Sequence, residues 1–272
     1  MKNKKQKCNY FTNEYDAAKH HSFMRILKWR FTYKNPQQQE FESDDFLPKV
    51  IEGAVPDKGI DKLIWLGHAS FILDLGGKRL LLDPCLTEPP TVKRRTKLPF
   101  GIDGIKPDLI LVSHGHYDHF GQKTMLGDIE IVFLPAYHWH SRYGFDKNRA
   151  LWGRFLIRYR GKQIYFCGDS GYNTHFAKIR EEYGDMDICI MPVGAYKPDF
   201  IMKHSHMNPY ESMQAFRDLG GKVFVPMHYG TFILSYEPPG EGIRIARAAA
   251  AEHTLGGELR ELDIGEIMGI GR

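Results

Sequence analysis

The stretch Leu109-Ile110-Leu111-Val112-Ser113-His114-Gly115-His116-Tyr117-Asp118-His119 sets a four-residue apolar run against a cluster in which four of six positions are metal-ligand types. A short apolar run of this kind reads as a buried strand. A strand end is also where a stiff backbone can hold several imidazoles at the ~2.0–2.1 Å that zinc requires. By residue frequencies the pattern would arise by chance in roughly two sequences per thousand. A surface histidine cluster is therefore the poorer reading, and a metal centre at the end of this strand is expected.

Six residues cannot complete two coordination shells, so further ligands must come from elsewhere. Apolar runs separated by turns recur at 63–66, 70–73, 79–82, 129–134, 155–159, 163–166, 188–191 and 223–226, with hairpin turns at Gly76-Gly77 and Gly161. Three of these runs are followed by a ligand type: His138, Asp169 and His228. One such histidine would be an ordinary surface residue, but three strand-end candidates beside the histidine cluster strengthen the joint reading. Helices are fewer. Asn208-Pro209 opens one through Leu219, ended by Gly220-Gly221, and 243–253 reads as another, ended by Gly256-Gly257. The expected fold class is a layered α/β domain over residues 61–272, preceded by an N-terminal extension, 1–60, packed on it.

Composition excludes more than it selects. An apolar share of 42% and a charged share of 26% are ordinary for a soluble globular chain. A net charge of +4, spread along the sequence, does not favour a nucleic-acid partner. The opening Met1-Lys2-Asn3-Lys4-Lys5-Gln6-Lys7 is basic enough to approach anionic headgroups, although most such runs are solvated tails. No signal-peptide core follows it, so a cytoplasmic location is expected, with peripheral contact at the inner face of the membrane left open. Cys8, Cys85, Cys167 and Cys189 are scattered and never in C-x-x-C spacing, which reads as reduced, buried thiols. His20, His21, His140, His175, His204 and His253 read as surface or packing residues.

The chain resembles the metallo-β-lactamase superfamily, and within it the enzymes that hydrolyse N-acylphosphatidylethanolamine as phospholipases D. The resemblance runs from Trp65 to Phe232, about two-thirds of the chain. It is carried by Trp65-Leu66-Gly67-His68-Ala69, Leu82-Asp83-Pro84, the H-x-H-x-D-H itself, His138-Trp139 and Asn148-Arg149-Ala150-Leu151-Trp152-Gly153. Gly168-Asp169-Ser170-Gly171-Tyr172, Pro192-Val193-Gly194-Ala195-Tyr196, His206-Met207-Asn208-Pro209 and His228-Tyr229-Gly230-Thr231-Phe232 complete it. It implies a four-layer αββα sandwich. It also implies two zinc ions, one held by His114, His116 and His138, the other by Asp118, His119 and His228, with Asp169 bridging both. A carboxylate is the natural bridge and neutral imidazoles the natural completion. His116, where related flavo-diiron proteins carry glutamate, argues for zinc over redox iron, with manganese or iron left to availability.

The activity implied is hydrolysis by a hydroxide bridging the metals, with Asp118 and His206 as catalytic groups and Tyr117 and His206 contacting substrate. The implied substrate is a small molecule or a phospholipid phosphodiester such as N-acylphosphatidylethanolamine. A lactone or other ester is the alternative, and a homodimer is left open. His68 and Asp83 read as residues bracing the metal loops. A non-catalytic binding protein would be expected to have lost a ligand type, and none is lost. In one respect the sequence departs from the lipid-cleaving enzymes: its stretch between His119 and His138 is much shorter, which puts the lipid substrate, not the metal site, in question.

Overall fold

The computed structural model of the chain describes residues 32–89, 92–113, 122–138 and 152–271. Two sheets face each other across the core. The first contains β1 (Lys62–Trp65), β2 (Phe71–Leu75), β3 (Lys78–Leu82), β4 (Leu109–Leu111) and the late strand β12 (Ile267–Gly269), in the order β12-β1-β2-β3-β4. All its pairings are antiparallel except β3 with β4. The register Leu75↔Lys78 leaves Gly76 and Gly77 as a two-residue turn, and their φ values of 56° and 74° are the left-handed pair that a type I′ hairpin needs.

The second sheet holds seven strands: β5 (Gln122–Leu126), β6 (Ile129–Pro135), β7 (Gly153–Tyr159), β8 (Lys162–Phe166), β9 (Ile188–Pro192), β10 (Val223–Met227) and β11 (Glu258–Leu259). Its β5 to β8 half is antiparallel and its β8 to β11 half parallel. Alternation sorts the side chains of the first sheet. Leu63, Trp65, Phe71, Leu73, Leu80 and Leu82 face inward and join Phe155, Ile157, Phe166 and Val225 in the main core. Ile64, Leu66, Ile72 and Leu81 face outward into a small second cluster with Ile105, covered by Val55, Leu86 and Phe100.

Helices α1 (Gln38–Ser43), α2 (His175–Tyr183), α3 (Asp199–Met202), α4 (Pro209–Asp218) and α5 (Glu241–Ala251) complete the described elements. The α4 helix packs on β9 and α5 on β11, with α2 and α5 flanking α4, so one outer layer of the sandwich is helical. The start of α4 is written in its sequence: Pro209 occupies the first turn, and Asn208 and Glu211 form a reciprocal capping box. No helix among the described residues is long and apolar enough to cross a membrane.

Several expected boundaries move. The second expected helix, 243–253, begins earlier, at Glu241, and ends at Ala251. Strand β5 was not foreseen, because Gln-Lys-Thr-Met-Leu has no apolar run and is ordered by its antiparallel pairing with β6. Helix α2 was not foreseen either; it lacks a side-chain N-cap, and only His175, Phe176 and Ile179 of it are buried. Of the cysteines expected to be buried, Cys167 and Cys189 are, while Cys85 is half-buried. Cys8, His20, His21, His140 and the basic residues 1–7 lie outside the described residues.

The segment from residue 32 onward is fastened to the sandwich. Val50 bridges Ile264, the Ile51 N–H donates to the Ile264 carbonyl at 2.7 Å, and Phe46 stacks on Tyr229 with ring centroids 6.1 Å apart. Asp44 accepts from the Gly240 N–H at 2.9 Å and from Arg244 at 2.6 Å.

Candidate metal centre

His114, His116, Tyr117, Asp118 and His119 lie outside the described residues, so the geometry on hand is that of their frame and of the remaining candidates. The frame is Ser113, which is 1% exposed and directly precedes His114. Asp83 holds it twice: one carboxylate oxygen accepts the Ser113 N–H at 2.5 Å and the other accepts the Ser113 hydroxyl. Asp83 itself is fixed by its N–H, which donates to the Leu111 carbonyl at 2.9 Å. These bonds fit the bracing expected of Asp83.

The strand-end candidates converge. His138 follows β6, Asp169 follows β8 and His228 follows β10, alternate strands of the second sheet that run in the same direction and so end on the same side. Ligating atoms of His138, Asp169 and His206 all lie within 4.8 Å of one another. The fourth member joins through Asp169, whose carboxylate lies 3.2 Å from His228 Nε2. The His138 Nδ1 hydrogen-bonds the Ser205 carbonyl at 2.9 Å. It must therefore carry the proton, which leaves Nε2 with its lone pair toward the cluster, the usual outer partner of a metal-binding imidazole.

His206 sits closer to the ligands than the sequence suggested. It was expected to touch substrate without binding metal, and its ring lies edge-on to that of His138, with centroids 5.2 Å apart. The His68 ring lies 4.1 Å from that of His228, centroid to centroid and tilted by 44°, with Phe232 edge-on to His68. Burial alone would lower the pKa of His228, but the Asp169 carboxylate, with Glu237 and a backbone hydrogen bond adding to it, raises it above the ordinary histidine value. His175, expected at the surface or in packing, is 2% exposed against Phe176; burial and the nearby Arg154 cation lower its pKa.

Asp169, His206 and His228 border a cleft of about 760 Å³. Its wall includes His68, Asp83, Asp169, His206 and His228, with Val112, Met202 and Leu234 as an apolar side. The described lining contains no lysine or arginine. Backbone strain concentrates here. His68, Asp83, Ala195 and His228 all have positive φ, at 54°, 38°, 62° and 67°, and all four line the cleft. A non-glycine residue in that region costs of order 1 kcal/mol or more and persists where surrounding contacts over-determine it. For His228 and His68 those contacts are on hand: the His228 N–H donates to the His68 carbonyl at 3.1 Å, and the His68 N–H donates to Thr231 Oγ1 at 2.7 Å. The donor set, imidazoles and a carboxylate at one strand-end cluster, fits a divalent transition metal.

Two residues that sequence reasoning passed over support this end of the sheet. Arg154 is fully buried, and Ser170 is the hydroxyl it grips, at 2.7 Å. Ser170 stood inside a quoted motif, whereas nothing about an arginine in an apolar strand signals that it points inward.

Comparison with known proteins gives a consistent result. A family model described as the metallo-β-lactamase superfamily matches residues 63–122, and one described as a β-lactamase superfamily domain matches residues 120–229. The chain is 30% identical, over 64% of its length and 48% of the relative's, to the mitochondrial N-acyl-phosphatidylethanolamine-hydrolyzing phospholipase D of Saccharomyces cerevisiae. It is 26% identical, over 76% of its length and 99% of the relative's, to a metal-dependent hydrolase of Pelotomaculum thermopropionicum. The fold is similar to a metallo hydrolase from the archaeon Ignicoccus hospitalis, with TM-score 0.59 and 21% identity, covering 78% of this chain and 99% of that one. The chain spans between 48% and 64% of the length of several curated relatives it matches.

Proposed function

The chain belongs to the metallo-β-lactamase superfamily, and from that premise we propose that it is a metal-dependent hydrolase with a binuclear zinc centre acting on a phosphodiester, with a phospholipid as the substrate class. The observation that carries this reading is the convergence of His138, Asp169 and His206 within 4.8 Å, with His228 Nε2 on the same carboxylate. His114, His116 and His138 would hold one metal, Asp118, His119 and His228 the other, and Asp169 would bridge them. Bound metals supply Lewis acidity and a water that ionises near neutral pH.

The chain's own residues supply the rest. Asp83 fixes the backbone from which the histidine cluster starts, and the Ser205 carbonyl fixes the tautomer of His138. His206, which borders the cleft, would donate a hydrogen bond or proton to a leaving oxygen, and Tyr117 would be the second substrate contact. Val112, Met202 and Leu234 form the apolar side on which an acyl chain would lie. The phospholipase D activity in the yeast relative's name supports the phospholipid reading. The absence of lysine and arginine from the described lining, and the short stretch between His119 and His138, support a second reading, a neutral lactone or other ester.

Elemental analysis of the purified full chain, paired with hydrolysis of a chromogenic phosphodiester, N-acylphosphatidylethanolamine vesicles and a lactone series, tests both. Two zinc ions per chain, activity lost to a chelator and restored by zinc, and phosphodiester turnover exceeding lactone turnover are expected. Lactone turnover with every phosphodiester inert would leave the second reading in its place. Full activity with one metal would contradict the ligand partition.

A further inference from the structure

Three of the four candidate ligand loops, those of His114, His138 and Asp169, are tied at their bases to one short stretch, Trp152-Gly153-Arg154, at the head of β7. Trp152 Nε1–H donates to the Ala136 carbonyl at 3.1 Å, two residues before His138. The Gly153 N–H donates to the Ser113 carbonyl at 2.8 Å, one residue before His114. Arg154 Nη2–H donates to Ser170 Oγ at 2.7 Å, one residue after Asp169. Ser170 passes the constraint on: its hydroxyl accepts the Tyr137 N–H at 3.0 Å and donates to the Gly171 carbonyl at 2.9 Å. The loop is closed by the Gly171 N–H donating to the Tyr137 carbonyl at 2.8 Å.

Two features of this stretch are costly for a core built only for stability. Arg154 is 0% exposed. It makes no ion pair among the described residues, its Nε has no hydrogen-bond partner among them, and its other recorded bond is to the neutral Tyr165 hydroxyl at 2.5 Å. An unpaired buried cation costs several kcal/mol, which its position over the Phe176 ring, 4.7 Å from the centroid, offsets only in part. Gly153 admits no side chain, since a Cβ there would lie 2.3 Å from the Phe133 ring and 2.5 Å from the Leu134 carbonyl oxygen. That close approach keeps β7 against β6, where Pro135↔Gly153 is the last pair before the His138 loop.

We propose that Trp152-Gly153-Arg154 is a positioning element that sets the spacing of the three ligand loops, with Arg154 acting through Ser170 on both His138 and Asp169. The proposal rests on the ligand reading above and extends it to residues that touch neither metal nor substrate. Outer partners of metal ligands typically contribute 10- to 100-fold in metal affinity.

The test uses the full chain and zinc alone, with affinity read by competition against a chromophoric chelator and geometry read from the visible spectrum of the cobalt-substituted protein. Arg154→Met and Ser170→Ala are expected to weaken zinc binding by roughly 10- to 100-fold and to shift the cobalt bands at temperatures where both variants are folded. The double variant should be no weaker than Arg154→Met, because the two act on one lever, and Arg154→Lys should recover part of the loss. Leu73→Ala, in the opposite sheet, should lower the melting temperature and leave zinc affinity unchanged. Unaltered zinc affinity and cobalt spectrum in Arg154→Met would overturn the proposal, however far its melting point falls. If Arg154→Met does not fold, Trp152→Phe keeps an aromatic side chain and removes the Nε1–H donor; it is expected to weaken zinc severalfold, and wild-type affinity there overturns the proposal. Asp169→Asn and His138→Ala separate the two levels. Zinc loss in both, with Arg154→Met and Trp152→Phe unaffected, removes only the positioning role, whereas zinc retention in both overturns the ligand reading and the proposal with it.

Discussion

Replacing Asp83 with alanine should uncouple the strand carrying Ser113 from the loop after β3. The Asp83 carboxylate is acceptor to two groups of Ser113, the N–H at 2.5 Å and the hydroxyl, and Ser113 is 1% exposed. A buried polar group left without its partner costs about 1–3 kcal/mol, so two such groups set an upper limit of about 6 kcal/mol. Asp83 borders the open cleft, and water entering the vacated space recovers part of that, bringing the expectation to about 2–4 kcal/mol. At roughly 2–4 °C per kcal/mol for a chain of this size, the melting temperature should fall by roughly 5–15 °C. Asp83→Asn keeps one acceptor and loses the charge, so about 1–2 kcal/mol is expected. Urea denaturation of the metal-free proteins gives the stability, and chelator competition gives zinc affinity, which should weaken in both variants because His114 follows Ser113. An Asp83→Ala protein within about 0.5 kcal/mol of wild type, with unchanged zinc affinity, would refute the bracing role.

His206→Ala should retain zinc and lose about 100-fold or more in turnover, as expected for a proton donor to the leaving group; zinc loss in that variant would make His206 a ligand. Asp74→Asn strikes a buried ion cluster in which Asp74 faces Arg79 at 2.7 Å and Lys62 at 3.4 Å. Leaving buried Arg79 without its anion, and Lys62 with only the exposed Asp57 at 3.8 Å, should cost about 3–5 kcal/mol by denaturation with zinc affinity unchanged, and a cost under about 1 kcal/mol would contradict that assignment. The Lys58 ammonium hydrogen-bonded to Asp108, together with the Arg79 N–H, lowers the Asp108 pKa from 3.8 to about 2. A depressed carboxylate stabilises the fold above its unfolded value and ceases to as pH falls through its folded value. Wild type should therefore exceed Asp108→Asn in stability at pH 6, by under about 1 kcal/mol because the pair is solvent-screened. The gap should close toward pH 2, and a gap persisting there refutes the assignment.

Much of the sandwich was legible because its central strands are apolar on both faces, as at Leu63 to Leu66, where alternate residues feed the main core and the outer cluster. The same logic placed His138, Asp169 and His228 together: polar ligand types directly after apolar runs mark one end of a sheet. Strand β5 was illegible because its order comes from β6, a partner that local sequence does not reveal. Arg154, Lys62 and Arg79 were illegible for a related reason. Their residue type reads as surface, and only the positions of Ser170, Tyr165 and Asp74 make the interior tolerable. His206 was legible as a site residue, but its distance to His138 and Asp169 depends on how α3 seats the loop that follows it.

The pairing of β12 with β1, Lys62 opposite Gly269, has a consequence for synthesis. On the ribosome, β1, β2 and β3 emerge together and can form their meander at once, yet the outer edge of β1 stays bare until residue 269 is clear of the exit tunnel. During that interval the bare edge is a template for strands of other nascent chains. The Gly265 N–H, which donates to the Trp65 carbonyl at 2.8 Å, closes the same edge only slightly earlier. Sequestration of this edge by a chaperone during translation should therefore change the yield of folded protein more than any change upstream of β1.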